Sequence, residues 1–197
     1  MGARTGSLPP LALGVAALAG IVALLVTIPL LVIIAAAGTG WGAGGRGADA
    51  SDAAALDEWM QAKVPSSPLV GLGHAFVASG LAHGVDPRAL VAIAHHESVL
   101  GTAGSGASIN NAFGWGPGIP FPSWEANIET VARGLARGYI ARGLDTLAEI
   151  QPVWAPVGAA NDPTGLNSHW LRAVGGYYAE LGGDPIASIA LTAGALA

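Results

Sequence analysis

The hydrophobic pattern along this 197-residue chain changes character twice. Residues 11–37, LALGVAALAGIVALLVTIPLLVIIAAA, are apolar around the whole circumference of a helix. At 1.5 Å per residue about 20 such residues cross the hydrocarbon core of a bilayer, so this 27-residue run spans it with some tilt. Pro29 is compatible with that, because membrane helices accept a kink better than soluble ones do. Ala35-Ala36-Ala37 offers a small-x-small cleavage site, but a secretory apolar segment is usually about 7–15 residues, so the length favours an uncleaved anchor. Residues 38–50 are a Gly-rich tether.

From residue 51 the pattern becomes amphipathic and helical. Ser51 or Asp52 caps a helix through AALDEWMQAK, and Pro68 opens a second that runs to about Leu81. Asp86-Pro87 is an N-cap followed by a favourable N1 proline, and it starts PRALVAIAHHESVL. A long loop, GTAGSGASINNAFGWGPGIPFP, separates this from a helix WEANIETVARGLARGYIAR capped by Ser123, with Ile128, Val131, Leu135 and Ile140 on one stripe. Thr146 with Glu149 forms a capping-box pattern. Asn167 or Ser168 caps HWLRAVGGYYAEL. No segment shows sustained strand alternation, so the fold class is mainly α, with a single transmembrane helix ahead of a helical domain over residues 51–183. The tail, 184–197, is apolar but too short to span a membrane.

Composition and charge narrow the function. The absence of Cys excludes a disulfide scaffold, a zinc ribbon and a thiol nucleophile. The 41 residues between Arg4 and Arg46 carry no charge, which isolates the apolar run. Residues 48–197 carry six Lys/Arg against thirteen Asp/Glu, so this part is acidic and has no basic cluster for nucleic acid. One Arg flanks each side of the span, a weak positive-inside signal that we read as N-in, C-out. Residues 1–37 are then a cytoplasmic stub and transmembrane helix, and the domain faces the extracytoplasmic side of the cell membrane, or is secreted if the segment is cleaved.

Glu97 is the sharpest candidate for chemistry. Leu90, Ile93, Ala94 and Glu97 share one helical face, so the carboxyl projects from the core-facing stripe. It also lies in the last turn, where the negative end of the helix dipole disfavours the charged form. Both features suit a general acid. The competing reading is a structural Glu paired with Arg133 or Arg172. A zinc site is not expected: the residue four after His96 is Leu100, and adjacent His95 and His96 diverge by about 100° on a helix. One of these histidines is expected beside the cleft and the other as a packing or surface residue. In the following loop, Asn110 and Asn111 supply amides suited to an acetamido group or sugar hydroxyls. Gly114 and Gly116 allow tight turns around Trp115, and Phe113 and Trp115 offer flat faces for sugar rings.

These segments occur in a telling order. AIAHHESVLGTAG, NNAFGWG, FPSWEANIETVARGL and GLDTLAEIQPVWAP with a closing W-x-x-x-V together resemble the glucosaminidase branch of the lysozyme-like peptidoglycan hydrolases, over roughly residues 70–180. The resemblance implies a small, two-lobed lysozyme-like helical fold. It implies Glu97 as catalytic acid, Ser98 as a neighbouring cleft residue, and Asn110 to Gly114 as part of the sugar-binding floor, with no cofactor or metal.

One departure shapes the expected mechanism. A two-carboxylate glycosidase needs a second Asp or Glu about 5–9.5 Å from the acid. Val99 to Trp124 contains none, leaving Glu125, Glu129, Asp145 and Asp162. That favours a single-acid mechanism like that of the lytic transglycosylases, on peptidoglycan glycan strands, over hydrolysis by a glucosaminidase or muramidase. A non-catalytic wall-binding protein of a conjugation or secretion machine is the alternative from another class.

Overall fold

In a computed structural model of the protein, the structure describes residues 50–116, 118–162 and 164–191. The expected anchor, 11–37, and tether lie outside the described residues. Among the described residues no helix is long and apolar enough to cross a membrane.

The described part is mainly helical. Six α-helices follow in order: α1 (Ala50–Lys63), α2 (Gly73–His83), α3 (Pro87–Ser98), α4 (Trp124–Gly138), α5 (Leu147–Trp154) and α6 (Trp170–Glu180), with short 3-10 turns at Ser105–Ile109, Ile140–Arg142 and Leu166–His169. The only strand-like pairings among these residues are two isolated bridges, Val85 with Ala190 and Thr146 with Ser188.

Helix α3 is central. Leu90, Val91, Ala92, Ile93 and Ala94 are fully buried, as a helix apolar all round requires, and α2 and α6 pack against it. Its start is fixed tightly. Asp86 accepts the Arg88 backbone N–H at 2.9 Å, its carboxylate pairs with the Arg88 guanidinium at 2.6 Å, and the Tyr178 hydroxyl of α6 donates to it at 2.8 Å. A buried carboxylate needs such company. Burial, then the neighbouring Asp86, pushes the Tyr178 phenol well up.

The local signals hold where they act within one turn. Asp86-Pro87 starts α3, Ser123 Oγ accepts from Ala126 N at 3.2 Å to start α4, and Thr146 with Glu149 forms the capping box of α5. Ile128, Val131 and Leu135 are buried, while Ile140 falls in the 3-10 turn after α4 and is half-buried.

Three starts differ from expectation: α1 already runs from Ala50, so Ser51 and Asp52 lie within it rather than ahead of it. The second helix begins at Gly73 rather than Pro68. Asp57 of α1 accepts the backbone N–H groups of Gly71 at 2.9 Å and Gly73 at 2.8 Å, a cap supplied by another helix. A Cβ at Gly73 would fall on the Ala53 carbonyl, so a glycine is required for this close approach. Neither Asn167 nor Ser168 caps α6: a 3-10 turn runs into it and no side chain caps it.

The tail acquires a structural role. Ile189 is fully buried, its N–H donates to Asp145 O at 2.7 Å, and its carbonyl accepts Asp86 N at 2.8 Å. The segment thus joins the residue before α3 to the residue before the Thr146 cap of α5. These are the two helices whose C-terminal ends meet in the site described next.

Candidate active site

Glu97 lies one residue before the end of α3 and is half-buried. Its expected arginine partners are elsewhere: Arg133 bonds Glu129 at 3.1 Å and Arg172 bonds His169 at 3.1 Å. Instead, two indoles converge on a single carboxylate oxygen. Trp154 Nε1, from the last residue of α5, and Trp170 Nε1, from the first residue of α6, each donate to Glu97 Oε1 at 2.8 Å. Trp170 is 1% exposed, so its N–H must find a partner inside the protein. The other oxygen, Oε2, accepts no hydrogen bond from the described residues and is turned toward Gly114, whose Cβ, if present, would sit 3.9 Å from it.

Aromatic rings gather around Trp154, one of the two donors. Trp154 lies 5.6 Å from Trp115, 6.1 Å from Tyr139 and 6.5 Å from Trp170 between ring centroids. Trp115 rests on α4 at Gly134, where a Cβ would collide with its benzo ring.

The chain leaves α3 abruptly. Val99 and Leu100 both adopt left-handed backbone, φ 50° and 55°, a costly conformation for non-glycine residues and rarer still for a β-branched one. Ser98 holds this turn. Its hydroxyl donates to Ala112 O at 2.7 Å and accepts from Gly101 N at 2.7 Å, and the residue is 4% exposed. Ser98 is therefore a buried bracket between helix end and loop, not a residue facing a ligand.

The loop divides into inner and outer residues. Phe113 is 1% exposed and belongs to the core, so it offers no stacking face. Asn111 is 2% exposed and its amide is spent on the loop: Nδ2 donates to Trp115 O at 2.9 Å, and Oδ1 accepts Trp115 N at 3.0 Å. Beneath it, Asn127 Oδ1 accepts Ala112 N at 2.8 Å, and Asn127 Nδ2 donates to Asn111 Oδ1 at 3.4 Å. Three of the predicted contacts remain on the outer side. Asn110 donates to Phe121 O at 3.1 Å while its Oδ1 accepts nothing from the described residues, Gly114 is exposed, and Trp115 is half-buried.

Each of the four candidate second carboxylates has a local partner other than Glu97. Glu129 sits on His83 at 2.9 Å and on Arg133, and Asp145 accepts from Ser188 Oγ at 2.9 Å. Asp162 accepts the Leu166 and Asn167 N–H groups, both at 2.9 Å. Glu125 is held below the usual carboxylate range by its own backbone N–H and by Ser123. Among the described residues no three His, Asp or Glu side chains converge to hold a metal ion.

The two histidines separate as their helical phase requires. His96 meets the edge of Trp170 at 6.4 Å, whereas His95 packs on Tyr177 at 4.1 Å and Trp59 at 5.5 Å. Burial lowers both imidazoles below their ordinary value of 6.5; for His95 Lys63 and His96 add to this and Glu180 opposes it, while for His96 Glu97 opposes it. A lowered folded-state value means that the unfolded chain binds protons more readily, so this contribution to stability is present above pH 6.5 and lost as pH falls through that value toward the lower folded one. The melting temperature is expected to drop between about pH 7.5 and 5.5, with a shallower slope in His95→Phe. Parallel slopes by circular dichroism would remove His95 from this account.

No protein-family model matches the chain, and no curated protein matches it.

Proposed function

We propose that the chain is a membrane-anchored glycosidase that cleaves the glycan strands of peptidoglycan, with Glu97 as its acid and base. The observation that carries the reading is the carboxyl at the end of α3, one oxygen clamped by two indole donors and the other left toward Gly114. Enzymes hold a proton-transferring group in one orientation in this way, since misplacement by about 1 Å costs rate steeply. The resemblance of the Glu-Ser, Asn-Asn-x-Phe-Gly and Ser-Trp-Glu segments to lysozyme-like glucosaminidases supports the same assignment and a lysozyme-like fold.

With no carboxylate between Val99 and Trp124 and each of the four candidates bonded to a local partner, a single-acid route is favoured. Glu97 gives its proton to the glycosidic oxygen, and the C1–O bond breaks with its electron pair on the departing sugar. The C6 hydroxyl oxygen of the remaining sugar bonds to C1 and returns its proton to Glu97, leaving a 1,6-anhydro end. No water is consumed. The anchor over residues 11–37 would hold the acidic domain at the wall, supplying by tethering the proximity its charge does not.

The test is mass spectrometry of isolated sacculi treated with the full chain in detergent. The expected products carry 1,6-anhydro ends. Reducing ends alone would replace this route with hydrolysis by a glucosaminidase or muramidase. Binding to sacculi without release of fragments would overturn the enzyme reading in favour of a wall-binding component of a conjugation or secretion machine.

A further inference from the structure

We infer that Trp154 and Trp170 are positioning residues that confine the proton transfers of Glu97 to one oxygen, Oε2. The inference rests on the reading of Glu97 as acid and base and adds two residues to it. An indole N–H is a donor with no acceptor capacity. Two such groups 2.8 Å from Oε1 occupy that oxygen as an acceptor and leave no place for a hydrogen on it. A proton on this carboxyl therefore resides on Oε2, the oxygen facing Gly114.

The donors are built in rather than incidental. They come from the last residue of α5 and the first of α6, and described residues of the connection between these helices are tied together by hydrogen bonds. Asp162 accepts from Leu166 N and Asn167 N, Asn167 Nδ2 donates to Pro156 O at 2.9 Å, and Gln151 of α5 donates to Asn167 O at 2.8 Å. Trp170 is buried, and Trp154 is hemmed in by Trp115, Tyr139 and Trp170 itself. Trp170 cannot turn away without displacing its neighbours, because it is fully enclosed. The carboxylate is thus held by a fixed pair of donors and approached by substrate from the remaining side, where glycine adds no side chain.

Trp→Phe removes the N–H and keeps most of the ring, so it separates the hydrogen bond from the packing. In full chain assayed on solubilised glycan strands, Trp154→Phe and Trp170→Phe are each expected to lower kcat about 10-fold or more with KM within about twofold, as loss of a hydrogen bond to a charged group does. Trp154 is the more exposed of the two, so its variant keeps the test available if Trp170→Phe folds poorly. A rise in KM at constant kcat, or no change in either, would overturn the inference. A second readout needs no activity. In 1H–15N spectra of the full chain in detergent, the Nε1–H signals of both tryptophans are expected downfield and should move upfield together in Glu97→Ala. Signals that stay put would also overturn it. Retained activity in Glu97→Gln, with the two indole signals still moving in Glu97→Ala, would instead remove the acid–base reading and leave the clamp standing.

Discussion

Glu97→Gln is expected to lower the release of soluble glycan from sacculi by about 10²–10⁴-fold while leaving the fold intact, the range that a positioned proton-transfer group supplies. The substitution is informative because the amide matches the carboxylate in shape and keeps one acceptor. The two indoles fix which end is which: both Nε1–H groups point at the Oε1 position, so the amide oxygen takes that place and the NH₂ faces Gly114. The Trp154 and Trp170 bonds then survive, and with them the junction of α3, α5 and α6. What is lost is the ability to release and recover a proton on the open side. Were Glu97 only a structural acceptor for two buried indoles, the amide would serve nearly as well and cleavage would persist. Fragment release measured beside the far-ultraviolet circular dichroism spectrum and melting temperature therefore separates the two roles, and an active, folded variant would sink the acid–base assignment.

What the sequence disclosed follows the range of the interaction concerned. Asp86-Pro87, Ser123 and Thr146–Glu149 act within a single turn, and each starts its helix as their spacing predicts. Pro68 misled because the cap of α2 is Asp57, contributed by α1, and no residue near Gly73 announces it. The same limit applies to the site. Glu97 was legible as a polar residue on a core-facing stripe, but its partners are 57 and 73 residues away. Trp154 and Trp170 stood in the segments carrying the family resemblance, yet nothing local says that two indoles point at one oxygen. In the loop, residue type suggested ligand contacts where fold closure had the stronger claim. An apolar ring such as Phe113 gains more from full burial than from an exposed face, and Asn111 is worth more closing a turn whose backbone groups are cut off from water.

Asn127 is where that closure is concentrated, and Asn127→Ala is expected to cost the domain about 1–3 kcal/mol, because it strands the buried Ala112 N–H and removes a second, longer bond to Asn111. A signal for it existed in the sequence: Asn127 shares the inward stripe of α4 with Ile128, Val131 and Leu135, and a polar residue on such a stripe has to be bonded to something. The side chain is fully buried, and its Oδ1 accepts the Ala112 N–H. That contact orients the amide, so Nδ2 is directed at Asn111 Oδ1, which in turn accepts from Trp115 N. Alanine leaves the Ala112 N–H without a partner, a buried loss of about 1–3 kcal/mol, and withdraws one of the two bonds to Asn111 Oδ1, which keeps Trp115 N. Against a typical stability of about 5–15 kcal/mol this is a large fraction. The damage should also reach chemistry. Ala112 O is bracketed to α3 by Ser98, and the residues immediately after it are Phe113, Gly114 and Trp115, the segment that faces Glu97 Oε2. Urea unfolding should therefore show a lower midpoint, and glycan release at a temperature where the variant is still folded should fall too. An unfolding free energy within about 0.5 kcal/mol of the parent, the range of an ordinary surface substitution, would mean that the loop stands without Asn127 beneath it.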